Sequence, residues 1–148
     1  MSKVTKTFDS LLELKDAYAV TTSAAAQVDS AAKIVTLGTG KVRGDIIIDV
    51  SACEVGSDDE KYIIGVQISS SSTFASDIYE VLTLPLGSAG TAAGDNLAGD
   101  VDMATGRYTI PFQNTIADDV TKSYMRIYTH VSGTISTGIN YTAYLAKH

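Results

Sequence analysis

Two imidazoles and one thiol limit the chemistry open to this chain. His130 and His148 are its histidines and Cys53 its cysteine. Nucleophilic catalysis needs a base beside the nucleophile, general acid–base work needs a His or paired carboxylates, and metal binding needs clustered ligands. His148 is the last residue, so His130 is the one imidazole within a strand pattern. It continues the alternation Tyr124, Arg126, Tyr128 and reads as a surface or interface residue, with a general base as the sharper alternative. Cys53 shares its face with Asp49 and Ser51 and reads as a half-buried inert thiol. Alone, it makes no internal disulfide.

Acidic residues collect at Asp58-Asp59-Glu60, at Asp95, Asp100 and Asp102, and at Asp118-Asp119. Calcium is the metal such groups suggest, yet Asp95–Asp100 lacks the alternating ligands and terminal Glu of an EF-hand loop. These acids are expected to be solvated loop charge. Gly38-Thr39-Gly40-Lys41-Val42-Arg43-Gly44 places Arg43 where a dinucleotide loop needs Gly, so a hairpin turn is expected there. Asn140-Tyr141-Thr142 fits a glycosylation triplet but falls in a strand pattern, with no secretory segment ahead of it. No enzyme, cofactor or metal is expected.

The elements that must position these residues follow from composition and period. The chain has 148 residues, a net charge of −6 and 45% hydrophobic residues, which suits one folded unit rather than a disordered chain. An acidic chain without a Lys/Arg cluster lacks the footprint of a nucleic-acid binder. No apolar run reaches the length of a membrane span, and synthesis in a cytoplasm is expected.

From Lys33 onward the period is two. Asp45–Cys53 sets Ile46, Ile48, Val50 and Ala52 against Ile47, Asp49, Ser51 and Cys53. Lys61–Ser69 turns Tyr62, Ile64, Val66 and Ile68 inward, and Ile78–Leu86 does so with Ile78, Leu82, Leu84 and Leu86. Arg107–Gln113, Ser123–Ser132 and Ile139–Lys147 complete six strands, with Ile34–Leu37 and Ala17–Thr22 as weaker ones. About eight strands without an interior helix predict an all-β fold, an antiparallel β-sandwich of jelly-roll type. Pro85 and Pro111 are expected at edges or strand ends. Residues 23–32 read as a solvent-facing connection, and Ser69–Thr73 as a loop.

Residues 1–16 read as an extended N-terminal arm, with 17–148 forming the sandwich domain. Ser10 and Glu13 fit a capping box, so a short helical turn is expected. Phe8, Leu11, Leu12 and Leu14 have no evident place in a period-two core and are candidate partner contacts. The second candidate set is Tyr124, Arg126 and Tyr128, because Tyr and Arg are the residues of interface anchors. Met125, Ile127 and Val131 already supply a core face on that strand. Both faces cannot line one core, and an unpaired guanidinium is costly to bury, so Arg126 is expected outward, near an acidic partner loop.

Three stretches carry a resemblance: Val66-Gln67-Ile68-Ser69-Ser70-Ser71-Ser72-Thr73-Phe74, Gly106-Arg107-Tyr108-Thr109-Ile110-Pro111-Phe112, and Tyr124 through Thr134. With the extended start Thr21-Thr22-Ser23 leading to Ile34-Val35-Thr36-Leu37-Gly38, the chain resembles the jelly-roll capsid cement, or decoration, proteins of tailed bacteriophages. The resemblance implies a structural virion protein on the outer surface of the phage head, clamping neighbouring major capsid subunits. It implies a homodimer, with a trimer as second choice, since such proteins act at symmetry axes and closed point groups dominate homo-oligomers. The alternative is a carbohydrate- or receptor-binding sandwich of a phage particle, which the absence of Trp weakens. The long acidic insert Gly87–Asp102 is the part the resemblance places least well.

Overall fold

The computed structural model describes residues 7–88 and 105–148. Most of the insert, Asp95, Asp100 and Asp102 included, and the first six residues of the expected arm therefore lie outside the described residues.

The chain is all-β. Its strands in order are β1 (Glu13–Val20), β2 (Ala24–Ala25), β3 (Gln27–Val28), β4 (Ala31–Ala32), β5 (Val35–Thr36), β6 (Arg43–Cys53), β7 (Lys61–Ser69), β8 (Ile78–Gly87), β9 (Gly106–Gln113), β10 (Tyr124–Ser132) and β11 (Ile139–Lys147). Two three-residue 3-10 turns, Ser10–Leu12 and Ala117–Asp119, are the helical pieces among the described residues. No helix there is long and apolar enough to cross a membrane.

Of the two larger sheets, one has the order β1-β11-β6-β9 and the other runs β2-β10-β7-β8 with β5 also pairing β10; β3 and β4 form a separate two-stranded sheet. All pairings are antiparallel. The alternating residues of both sheets meet in one buried cluster, including Ile46, Ile48, Ile139 and Leu145 from the first and Tyr62, Ile64, Val66, Met125 and Ile127 from the second. A hydroxyl pair, Thr129 Oγ1 with Tyr141 Oη, links the two sheets inside that core.

Each sheet edge among the described residues is blunted. β8 and β9 carry Pro85 and Pro111, β1 has two register shifts, and β2 and β5 are two residues long. Prolines, bulges and short edges all oppose strand addition.

Bulges explain where the alternation misplaces faces. Between β6 and β11, Val50 pairs Tyr141 and Ala52 pairs Asn140, so Ser51 is the extra residue. That flips the parity: Ala52 is exposed and Cys53 packs against the core, the reverse of the expected faces. In β8 the extra residue is Val81, between Leu82 opposite Val66 and Glu80 opposite Gln67. Ile78, expected inward, is 41% exposed as a result.

The expected arm is corrected in the same way. Ser10–Leu12 is a 3-10 turn whose N-cap is Asp9, accepting from the Leu11 amide, not a turn capped by Ser10. Glu13–Asp16 belong to edge strand β1, so Leu14 is fully buried in the core and not an arm residue. Residues 23–32, expected as a plain connection, hold β2, β3 and β4.

Lys15 is also fully buried, because the bulges on either side of it in β1 turn its side chain inward. Its Nζ donates to the carbonyls of Asp16, Tyr18 and Tyr141 at 3.0, 2.9 and 2.8 Å and lies 3.6 Å from the Tyr18 ring centroid. Burial pulls its pKa down to about 8, with nearby Asp16 opposing.

Candidate functional site

The two candidate sets lie on different sheets. Phe8, 54% exposed, packs edge-on against Tyr144 with ring centroids 5.4 Å apart, over a small patch of Ile47, Tyr144 and Ala146 on the outer face of the first sheet. Leu11 is 77% exposed and Leu12 packs partly against the core. Beside them Arg107 and Asp49 form an exposed bidentate pair at 2.6 and 2.9 Å.

Tyr124, Arg126, Tyr128 and His130 occupy the outward positions of β10, while Met125, Ile127 and Thr129 are buried. Register places Arg126 opposite Gln67 and Tyr128 opposite Gly65 on β7, and Glu80 of β8 opposite Gln67. A row of polar side chains therefore crosses three strands. Arg126 Nε donates to Gln67 Oε1 at 2.8 Å, and Gln67 Nε2 donates to Glu80 Oε1 at 3.4 Å. The same Glu80 oxygen meets His130 Nε2 at 2.8 Å. The His130 ring in turn lies 4.9 Å from that of Tyr128.

Phe74 closes the arrangement. The Arg126 guanidinium stands 4.4 Å from the Phe74 ring centroid and 5.5 Å from that of Tyr128, within cation–π range. Phe74 adopts φ 54, a left-handed conformation uncommon for a bulky residue, and is nearly buried beneath the guanidinium. The serine run holds it there. Ser69 Oγ donates to the Ser76 carbonyl at 2.8 Å and accepts the Ser71 amide at 2.9 Å, and the Phe74 amide reaches the Ser71 carbonyl at 3.2 Å. Asp77 Oδ2 receives Lys122 Nζ at 2.6 Å and the Ser70 hydroxyl. Those two bonds, led by Lys122, hold the Asp77 carboxyl down at about 2. Beyond Ser69, the run is the loop expected, held in place by its own hydroxyls.

Burial lowers the Arg126 pKa from its ordinary value. No carboxylate among the described residues comes within ion-pair distance of it. The acidic partner expected near Arg126 is not supplied by the described part of its own chain.

Gln67, Phe74, Glu80 and Gly65 were not singled out as site residues from the sequence. Gly65 carried a signal, since a glycine inside a strand marks a close approach. A Cβ there would stand 1.8 Å from Glu80 Oε1.

Elsewhere, Glu54 Oε2 accepts the amides of Ser136, Thr137 and Gly138 at 2.9, 2.8 and 2.8 Å, which lowers its pKa. Asp59 caps Thr134 through its amide and hydroxyl. These acids tie two loops together. A groove of about 700 Å³ between β8 and β9 is lined by residues including Val81, Leu82, Phe112 and Arg43. No group of three or more metal-ligating side chains gathers among the described residues.

No protein-family model matches the chain, and no curated protein matches its sequence.

Proposed function

We propose that the chain is a capsid decoration protein of a tailed bacteriophage, built as a jelly-roll β-sandwich with its N-terminal segment serving as a short arm. Counting β2 and β5 together, the eight main strands lie in the orders 1-8-3-6 and 2-7-4-5. Those are the two four-stranded sheets that folding two Greek keys into a jelly roll produces, which supports the finer fold.

In this role the protein needs surfaces rather than reacting groups. It sits on the outer surface of the head and bridges major capsid subunits. Closed homodimers, or trimers at a threefold axis, form through sheet faces, because the edges among the described residues oppose strand addition.

The observation that carries the proposal is the outward row of Tyr124, Arg126 and Tyr128, backed by Phe74 and lacking a carboxylate among the described residues of its own chain. Arg and Tyr are the residues enriched in binding hot spots. Gel filtration of the chain with purified expanded heads, alongside a glycan array, tests it. Elution with the heads and no glycan signal is the expected result; glycan binding without head binding would replace it with a carbohydrate-binding module.

A further inference from the structure

We propose that the outer face of β7, β8 and β10 receives an acidic segment of a partner protein, with Arg126 as the anchor for one of its carboxylates. The proposal rests on the decoration role and adds the chemistry the partner presents.

A guanidinium carries five N–H donors. Arg126 spends its Nε donor on Gln67 and holds its guanidinium carbon 4.4 Å from the Phe74 ring centroid. The terminal nitrogens have no partner among the described residues. Two contacts therefore fix the side chain and leave its outer fork open, so little rotamer freedom remains to be lost on binding. A carboxylate is the group that accepts two parallel N–H bonds from such a fork.

The chain's own carboxylate on this face is diverted. Gln67 stands between Arg126 and Glu80, giving its oxygen to the former and its nitrogen to the latter. Gly65 leaves the space through which Glu80 bends toward His130. In a chain of net charge −6, a cation is thus kept clear of the acids among the described residues, which is the charge complementarity an acidic partner requires.

The paired tyrosines and the open guanidinium fork favour a protein segment over a glycan. The cavities at Val81 and Phe112, at Phe8 and Lys147, and at Cys53 and Asn140 are lined by other residues. Tyr124 and Tyr128 flank the anchor with half-exposed rings suited to a peptide backbone and its side chains.

The test follows the Arg126 Nε–H resonance of the full 15N-labelled chain during titration with hexaglutamate, hexalysine or 3′-sialyllactose. Saturable shifts with hexaglutamate alone are expected, weakened about tenfold or more in Arg126→Ala. Arg126→Lys, which keeps charge but loses the fork, should fall between the two, and it serves if the alanine variant fails to fold. Equal hexaglutamate binding by a folded variant, absence of saturable binding, or preference for sialyllactose would overturn the proposal. So would sedimentation velocity showing that Arg126→Ala merely dissociates a dimer while hexaglutamate fails to bind. Hexaglutamate binding through Arg126 by a chain that ignores phage heads would leave this inference standing and remove the decoration role. Head binding untouched by Arg126→Ala would do the reverse.

Discussion

The Glu80 carboxylate lies across Gly65, in the space that any larger residue's Cβ would occupy, and from there it reaches His130 at 2.8 Å. Position 65 is therefore glycine for the sake of a neighbouring strand's side chain. Because the group in the way is the end of a flexible side chain, Gly65→Ala should displace Glu80 rather than unfold the sheet. The expected outcome is a melting temperature within a few degrees of the parent, together with changed His130 ring nitrogen shifts in a 15N NMR spectrum. Unchanged ring shifts would contradict the geometry.

The buried ammonium of Lys15 gives a second prediction. Lys15→Met leaves the carbonyls of Asp16, Tyr18 and Tyr141 without their shared donor, which should cost on the order of 3 kcal/mol in urea unfolding. The pH dependence has a definite sign. Between about 8 and 10.5 the unfolded lysine holds a proton that the folded one has released, so parental stability should rise with pH across that window. The methionine variant should lack that rise. Above about 10 the buried phenol of Tyr141, whose pKa burial raises, resists ionising while the unfolded chain ionises, so stability should then fall.

The loop that seats Phe74 should loosen in acid. Hydrogen bonding to Lys122 and Ser70 depresses the Asp77 pKa from 3.8 to about 2, so its contribution is intact above 3.8 and is lost as pH falls through about 2. Asp77→Asn should remove that acid dependence, read as amide exchange of residues 70–77 measured between pH 5 and pH 2.

Truncation separates the arm from the sheet. Removing residues 1–12 should leave a folded chain, whereas removing 1–16 also strips Leu14 and Lys15 from β1. Loss of Leu14 burial alone should cost about 1.5–3 kcal/mol, visible as a lower melting temperature. The shorter truncation should still weaken binding to heads, through loss of Phe8 and Leu11.

Glu54 makes a further testable contact. Glu54→Ala should leave the core intact and speed hydrogen exchange at Ser136, Thr137 and Gly138, the three amides its carboxylate receives. Gly138, with φ 74 and the Val20 carbonyl 2.1 Å from where a Cβ would stand, cannot accept a side chain in compensation.

The long strands were legible because each buries one face, and burial writes a period of two into the residues. Tyr62 through Ile68 and Met125 through Ile127 therefore pointed correctly, and Arg126 was placed outward because Met125 and Ile127 already lined the core. A bulge leaves no comparable mark. Ser51 and Val81 look like any strand residue, so Ala52, Cys53 and Ile78 were assigned to the wrong faces. Lys15 was illegible for another reason: it fell within the expected arm, and only three backbone carbonyls from two strands make a lysine's burial tolerable. Gln67 and Glu80 came into view only through cross-strand register, which joins residues distant in sequence, and Phe74 only through the fold of the β7–β8 loop that carries it to Arg126.

Co-sedimentation of the full chain with expanded heads of the phage that encodes it, with Arg126→Ala in parallel, tests the central claim most directly. The decoration role predicts saturable pelleting at a fixed ratio to the major capsid protein, and the Arg126 anchor predicts that the substitution weakens it about tenfold or more. A wild-type chain that stays in the supernatant at all head concentrations would contradict it.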